Sequence, residues 1–183
     1  MTATNPNPPL SPAEIRARVT YDDARLLAEC ELHIHRTGGP GGQHRNKVET
    51  AIRLIHRPTG VTVSAGETRS QHENKARALA RLREALAVGF RIPPTDAAQW
   101  PETARPSGGR LRVSDHNAGL AEVLGLVLDA FAAAGGSPSA AAERLGISSS
   151  SLTKFLADHP RAWVEANRIR AEVGAGPLRN PRS

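Results

Sequence analysis

Between Val88 and Ser114 this chain is unable to sustain a regular element. Pro93, Pro94, Pro101 and Pro106 each remove a backbone donor and bias the preceding residue away from helix, and Ser107-Gly108-Gly109 adds turn chemistry. The break divides 183 residues, enough for one ordinary domain or two small ones, into halves with different hydrophobic periods. Hydrophobic residues make up 39% but aromatics only 3%, so any core must be built from Leu, Val, Ile and Ala.

Ahead of the break, both periods occur. Ser11-Pro12-Ala13-Glu14 reads as a helix start, with a Ser cap, Pro in the first turn and Glu three residues on. Short helices are expected over 12–19 and 22–28. Glu31 to Arg36 is a strand candidate with Leu32 and Ile34 on one face. Val48, Ile52 and Leu54 stand against Glu49, Ala51 and Arg53, and Val61, Val63 and Ala65 alternate after the turn Pro58-Thr59-Gly60. A hairpin over 48–57 and 61–66 follows. Ser70-Gln71-His72-Glu73 opens a helix to about Ala87 with Leu79, Leu82 and Leu86 on one stripe. Lys75, Arg77, Arg81 and Arg83 occupy its other face.

Beyond the break only helix is expected. Leu120, Val123, Leu124, Val127, Leu128 and Phe131 recur at amphipathic spacing, and Gly135-Gly136 ends the run. Ala141, Ala142, Leu145, Gly146, Ile147, Leu152 and Phe155 have helix-turn-helix spacing, and a last helix spans 160–172. The fold class is thus α+β. A small mixed sheet with packed helices occupies 1–90 (core 30–88), 91–114 is a linker, and 115–183 forms a small all-α, helix-turn-helix-like domain.

Charge separates the halves further. The net +6 divides as −1 over residues 1–30, +5 over 31–90, +2 over 91–114 and zero over 115–183. A positive field over 31–90 suits a polyanion such as nucleic acid. Cys30 stands alone, so no disulfide forms within the chain. No secretory or transit segment and no membrane-length apolar run is visible, so a cytoplasmic location is expected.

That field centres on Arg36-Thr-Gly-Gly-Pro-Gly-Gly-Gln-His-Arg-Asn-Lys47. Glycines lacking Cβ let a backbone approach a ligand closely, and basic flanks select an anion. A P-loop would need Gly-Lys-Ser/Thr after a strand, and a dinucleotide fingerprint would need a βαβ unit; neither is present. His33, His35, His56 and His72 have no metal spacing, and no Ser/His/acid arrangement appears.

Read as a whole, Arg36-x-Gly-x-Pro-Gly-Gly-Gln-His-x-Asn-Lys47, Thr50-Ala-Ile-Arg53-Leu, His56-x-Pro-Thr-Gly60-Val and Arg69-Ser-Gln-x-x-Asn74-Lys resemble the peptidyl-hydrolase domain of bacterial-type class I peptide chain release factors. The resemblance covers about residues 30–88 and is closest to the short, codon-independent relatives that rescue stalled ribosomes. It implies ribosome-dependent hydrolysis of the peptidyl-tRNA ester, with Gly41, Gly42 and Gln43 catalytic in the peptidyl-transferase centre. The partners implied are large-subunit rRNA and P-site peptidyl-tRNA, with a glutamine methyltransferase acting on Gln43. Arg36, His44, Arg45, Asn46, Lys47, Arg53 and Arg69 would contact rRNA or tRNA. No cofactor, metal or membrane is implied. Arg45 departs from the family, whose members usually carry a small apolar residue there, and so adds charge beside the glycines.

The second half is less informative. About 25 residues precede the first core strand and no stop-codon-reading domain is recognisable, so codon-independent action is expected. The rescuers usually end in a long basic tail, whereas Arg168 to Arg182 is short and mildly basic. Two other readings stand beside the hydrolase: a non-catalytic rRNA-binding protein, and a nucleic-acid regulator led by the helix-turn-helix. The charge-neutral 115–183 weighs against the regulator, and a packing or rRNA-docking module fits it better.

Overall fold

A computed structural model describes residues 9–35, 50–93 and 98–181. The chain divides into two compact units, Met1–Leu86 and Ala87–Ser183.

In the first unit, α1 (Pro12–Ala17) opens on a complete capping box: Ser11 Oγ accepts from the Glu14 amide, and Glu14 accepts from the Ser11 amide at 2.8 Å. The helix passes into a 3-10 turn, Arg18–Thr20, instead of running on to residue 19. Helix α2 (Asp23–Ala28) is capped by Asp22. Three strands follow: β1 (Cys30–His35), β2 (Ala51–His56) and β3 (Thr62–Ala65), in that order across the sheet. The small mixed sheet expected from the sequence is antiparallel throughout the described residues, because each strand pairs with its neighbour in the chain.

Register sets the faces. Leu32 lies opposite Leu54 and Ile34 opposite Ile52, while Leu54 faces Val63 and Ile52 faces Ala65. One face therefore collects the buried Ile52, Leu54, Val63 and Ala65. Leu32 and Ile34 share it, yet remain 37% and 43% exposed, unlike Val63 and Ala65 on β3, the other edge of the sheet. Helix α3 (Gln71–Gly89) buries Ala78, Leu79, Leu82 and Leu86, the predicted stripe. Arg81 ties it to β3 by donating to the Ser64 carbonyl.

His56, at the end of β2, is fully buried. Its Nε2 lies 2.9 Å from Glu29 Oε2 and its Nδ1 2.7 Å from Thr59 Oγ1. Burial holds the imidazole below its ordinary range, against the opposing pull of Glu29. Burial would raise Glu29, but hydrogen bonds from His56 and Arg18 outweigh it and hold the carboxyl below its usual value. The consistent assignment is a neutral ring that donates from Nε2 to an ionised Glu29 and accepts at Nδ1 from Thr59. His56 is thus a tether between helices and sheet.

The second unit is built from α4 (Leu120–Ala133), α5 (Pro138–Leu145), α6 (Ser149–Asp158) and α7 (Pro160–Glu172). Its core gathers Val123, Leu124, Val127, Leu128 and Phe131 from α4 with Leu145, Leu152, Phe155 and Leu156. Gly146, at φ 66°, closes α5 in the left-handed conformation, and Ser148 caps α6, which gives the helix-turn-helix its turn. Residues 91–114, expected as a linker, contribute to this core: Ala104 and Leu111 are buried in it and Trp100 and Val113 pack against it. Pro-rich chain lacks hydrogen-bonded periodicity, but apolar side chains on it still bury wherever a helical face is available. Asp129 is buried on α4, accepts from the Ile92 amide at 3.0 Å and lies 3.3 Å from Arg91 Nη1. Arg91 in turn donates to the carbonyls of Ala87 and Val88 at the end of α3.

Candidate functional site

Gly41, Gly42, Gln43, Arg36, His44, Arg45, Asn46 and Lys47 lie outside the described residues. Their framework does not. His35 and Ala51 are a register pair at the end of the β1–β2 ladder, so the Gly-rich segment leaves and re-enters the fold at adjacent points.

Asn74 fixes the re-entry point. It is fully buried in the first turn of α3. Its Nδ2 donates to the Thr50 and Thr68 carbonyls at 2.8 Å each, and its Oδ1 accepts from the Thr68 amide at 3.1 Å and the Thr68 hydroxyl at 3.2 Å. All four hydrogen-bonding positions of the amide are used. Ser70 Oγ accepts from the Glu73 amide, so the helix start that carries Asn74 is itself capped. The sequence places both residues at a helix start; that Asn74 reaches back to the stem of the glycine segment is visible only in three dimensions.

Arg53 and Arg69 occupy different places. Arg53 is exposed on β2, the central strand, with His33 and Ser64 as register neighbours on the face away from the core. Arg69 is exposed in the turn that leads into α3. Neither has an acidic partner among the described residues, and Lys75 and Arg77 on α3 share that condition. The cations farther along α3 are occupied: Arg81 pairs with Glu67 at 2.6 Å, and Arg83 with Asp23 at 2.8 Å and the Tyr21 carbonyl at 2.7 Å. Arg69, Lys75 and Arg77, at the end of α3 nearest the stem of the glycine segment, are thus without the acidic partners that Arg81 and Arg83 have. Surface pairs add little stability, but they decide which cations remain available to a polyanion. Charge counting along the sequence had not separated these two sets.

Beside the same stem lies a groove of about 260 Å³ lined by Leu32, Ile34, Ile52, Gln71, His72 and Lys75. Among the described residues no group of three or more His, Cys, Asp or Glu could hold a metal ion, and no helix is long and apolar enough to cross a membrane.

Sequence comparison relates part of this chain to known proteins. Residues 26–110 match the RF-1 domain. A Schizosaccharomyces pombe protein named as a mitochondrial peptide chain release factor 1 is 48% identical over 91 residues, which cover 48% of this chain and 22% of the relative. Peptide chain release factor 1 of Caldicellulosiruptor saccharolyticus is 50% identical over 58 residues (32% of this chain, 16% of the relative). That of Gluconobacter oxydans is 42% identical over 73 residues (40% and 19%). The chain thus spans only about a fifth of the length of the curated relatives it matches. Residues 26–110 of this chain thus carry an RF-1 domain, the part it shares with the peptide chain release factors.

Proposed function

We propose that this protein triggers ribosome-dependent hydrolysis of the ester between a nascent peptide and its tRNA, without reading a codon. The observation that carries this reading is the sequence Gly41-Gly42-Gln43, which lies in the chain between the paired strand ends His35 and Ala51, inside a stretch that matches the RF-1 domain. Water attacks the ester carbonyl carbon, negative charge develops on the carbonyl oxygen, the bond to the 3′ oxygen breaks and that oxygen takes a proton. The backbone amide of Gln43 stabilises developing charge or the departing oxygen. Gly41 and Gly42 allow the backbone into an RNA-walled cavity that a Cβ would fill. The Gln43 side chain shapes the site to admit water. The cations Arg36, Arg45, Lys47, Arg53 and Arg69, with His44 and Asn46, hold rRNA and tRNA, and Gln43 is the residue a glutamine methyltransferase would modify.

The decisive assay is release of labelled peptide from ribosomes with an empty A site, with and without mRNA extending past the P site. Release without a stop codon is expected. Gly41→Ala or Gly42→Ala should abolish it while ribosome binding persists. Undiminished release by either variant refutes the mechanism, and release only at a stop codon refutes codon independence.

A further inference from the structure

Residues 115–183 carry no net charge, yet the structure brings cations to their surface from outside that range. Ser107 and Arg110 exchange both backbone hydrogen bonds, at 3.1 and 3.0 Å, around Gly108 and Gly109 at φ 55° and 72°. This tight turn is fastened to the second helix of the helix-turn-helix pair. The Ser148 amide donates to the Gly109 carbonyl at 2.8 Å, and the Leu111 amide donates to Ser151 Oγ at 2.8 Å. Leu111 is buried in the helical core and anchors the turn, while Arg105, Arg110 and Arg112 around it are exposed.

None of the three arginines has an acidic partner among the described residues. Some other cations of the unit do: Arg91 has Asp129, Lys154 has Asp158, and Arg168 has Glu165 and Glu172, whereas the exposed Arg144 and Arg179 lie elsewhere on the chain. Asp115, the nearest acid that follows in sequence, lies 3.7 Å from His159 Nδ1. The first turn of α6 holds no acidic residue and exposes Ser149 and Ser150.

We propose that the Arg105–Arg110–Arg112 turn, with the adjoining serines of α6, is a docking surface for the sugar-phosphate backbone of double-helical RNA. Three exposed guanidinium groups on and beside a hydrogen-bonded turn suit phosphate oxygens by charge and by their fork of donors. The start of α6 offers short hydroxyls and no Asn, Gln or Arg to read base edges, so recognition is of backbone and not of sequence. Hydroxyls that both donate and accept suit the ribose 2′-OH displayed in the shallow groove of an A-form helix. The choice of RNA over DNA rests on the ribosomal reading above; the arginine surface does not.

The test is fluorescence anisotropy of the full chain with an RNA duplex and a DNA duplex of the same arbitrary sequence, across a salt series, against the triple variant R105Q/R110Q/R112Q. The triple variant should bind the RNA duplex at least ~10-fold more weakly, and its log–log salt slope should shrink by about 2–3, since each phosphate contact contributes ~0.7–0.9. Trp163 emission on denaturation verifies that the unit remains folded; should the triple variant unfold, each single variant is expected to lower the slope by about 0.7–0.9. Unchanged affinity and slope overturn the proposal, and equal affinity for RNA and DNA overturns the assignment to RNA. Gly42→Ala should leave duplex binding intact. Loss of release with retained duplex binding, or the reverse, therefore tells failure of the hydrolase reading from failure of this one.

Discussion

Replacing Asn74 with Ala is the most exposing test of how the glycine segment is held. The side chain is fully buried and makes four hydrogen bonds. Its removal leaves the Thr50 carbonyl and the Thr68 amide without it; the Thr68 carbonyl retains the Thr50 hydroxyl at 3.3 Å. An orphaned buried group costs about 1–3 kcal/mol; with the Thr50 carbonyl buried and the Thr68 amide half-buried, the first unit should lose about 2–5 kcal/mol. A unit of that size has a total stability of only about 4–13 kcal/mol, so the loss is a large share. Hydrogen exchange of β2 and β3 amides reads the effect directly. Trp100 and Trp163 both belong to the second unit, and their emission reports whether it has changed. Thr50→Val removes only the long hydroxyl contact and should cost under ~1 kcal/mol. A loss below ~1 kcal/mol for Asn74→Ala, on that same scale, would show that other groups take over its bonds and that Asn74 does not fix the stem. If the stem is fixed as argued, peptide release by the variant falls at temperatures where the unit is still folded.

Other consequences are as specific. His56 is neutral in the native state with its value lowered, so the unfolded chain takes up a proton first. Its contribution to stability is complete above about pH 6.5 and is lost as pH falls below it, at up to ~1.4 kcal/mol per pH unit; Glu29 adds a second loss below about pH 4.5. The difference in stability between the native chain and His56→Gln should therefore shrink from pH 7 to pH 5, and a difference that is constant or grows refutes the assignment. In the second unit, an added Cβ at Gly146 meets nothing within 4 Å, so Gly146→Ala should cost only the left-handed backbone term of about 1–2 kcal/mol. At Gly136 the same Cβ would stand 2.9 Å from Arg170 Cγ at φ 71°, so Gly136→Ala should cost more; Trp emission in denaturant ranks the two, and the reverse order contradicts the packing. Asp129→Ala removes the acceptor of the Ile92 amide and one of the two acids beside Arg91, which keeps Glu165 at 4.0 Å, and should cost about 1–3 kcal/mol in the same assay.

The elements were legible wherever local chemistry and period agreed. The Ser11–Glu14 box, the α4 stripe and the Gly146 turn each combine a cap or stop with a repeating apolar face. Leu32 and Ile34 alternate correctly, but alternation does not say which edge of the sheet is covered: they stay exposed while Val63 and Ala65 on the opposite edge are buried. Leu111 and Trp100 sit among prolines and glycines, so no period announces that they join the helical core. At the site, the motif residues could be listed from the sequence. Which cations are neutralised depends on pairs as far apart as Asp23 and Arg83, and the bond from Asn74 to Thr50 spans 24 residues; neither separation is encoded in a local pattern.

The pairing of His35 with Ala51 has a consequence for how such a segment can change. Fifteen residues separate the two, and the ladder that closes them is built from Cys30 to His35 and Ala51 to His56. The entropy of joining ends grows only with the logarithm of the intervening length, so a few residues more or fewer cost about a few tenths of a kcal/mol. The scaffold is therefore nearly indifferent to what lies between its two posts. Selection on those residues can act on reach and fit alone, and grafts of altered length onto the same posts should fold while differing in chemistry.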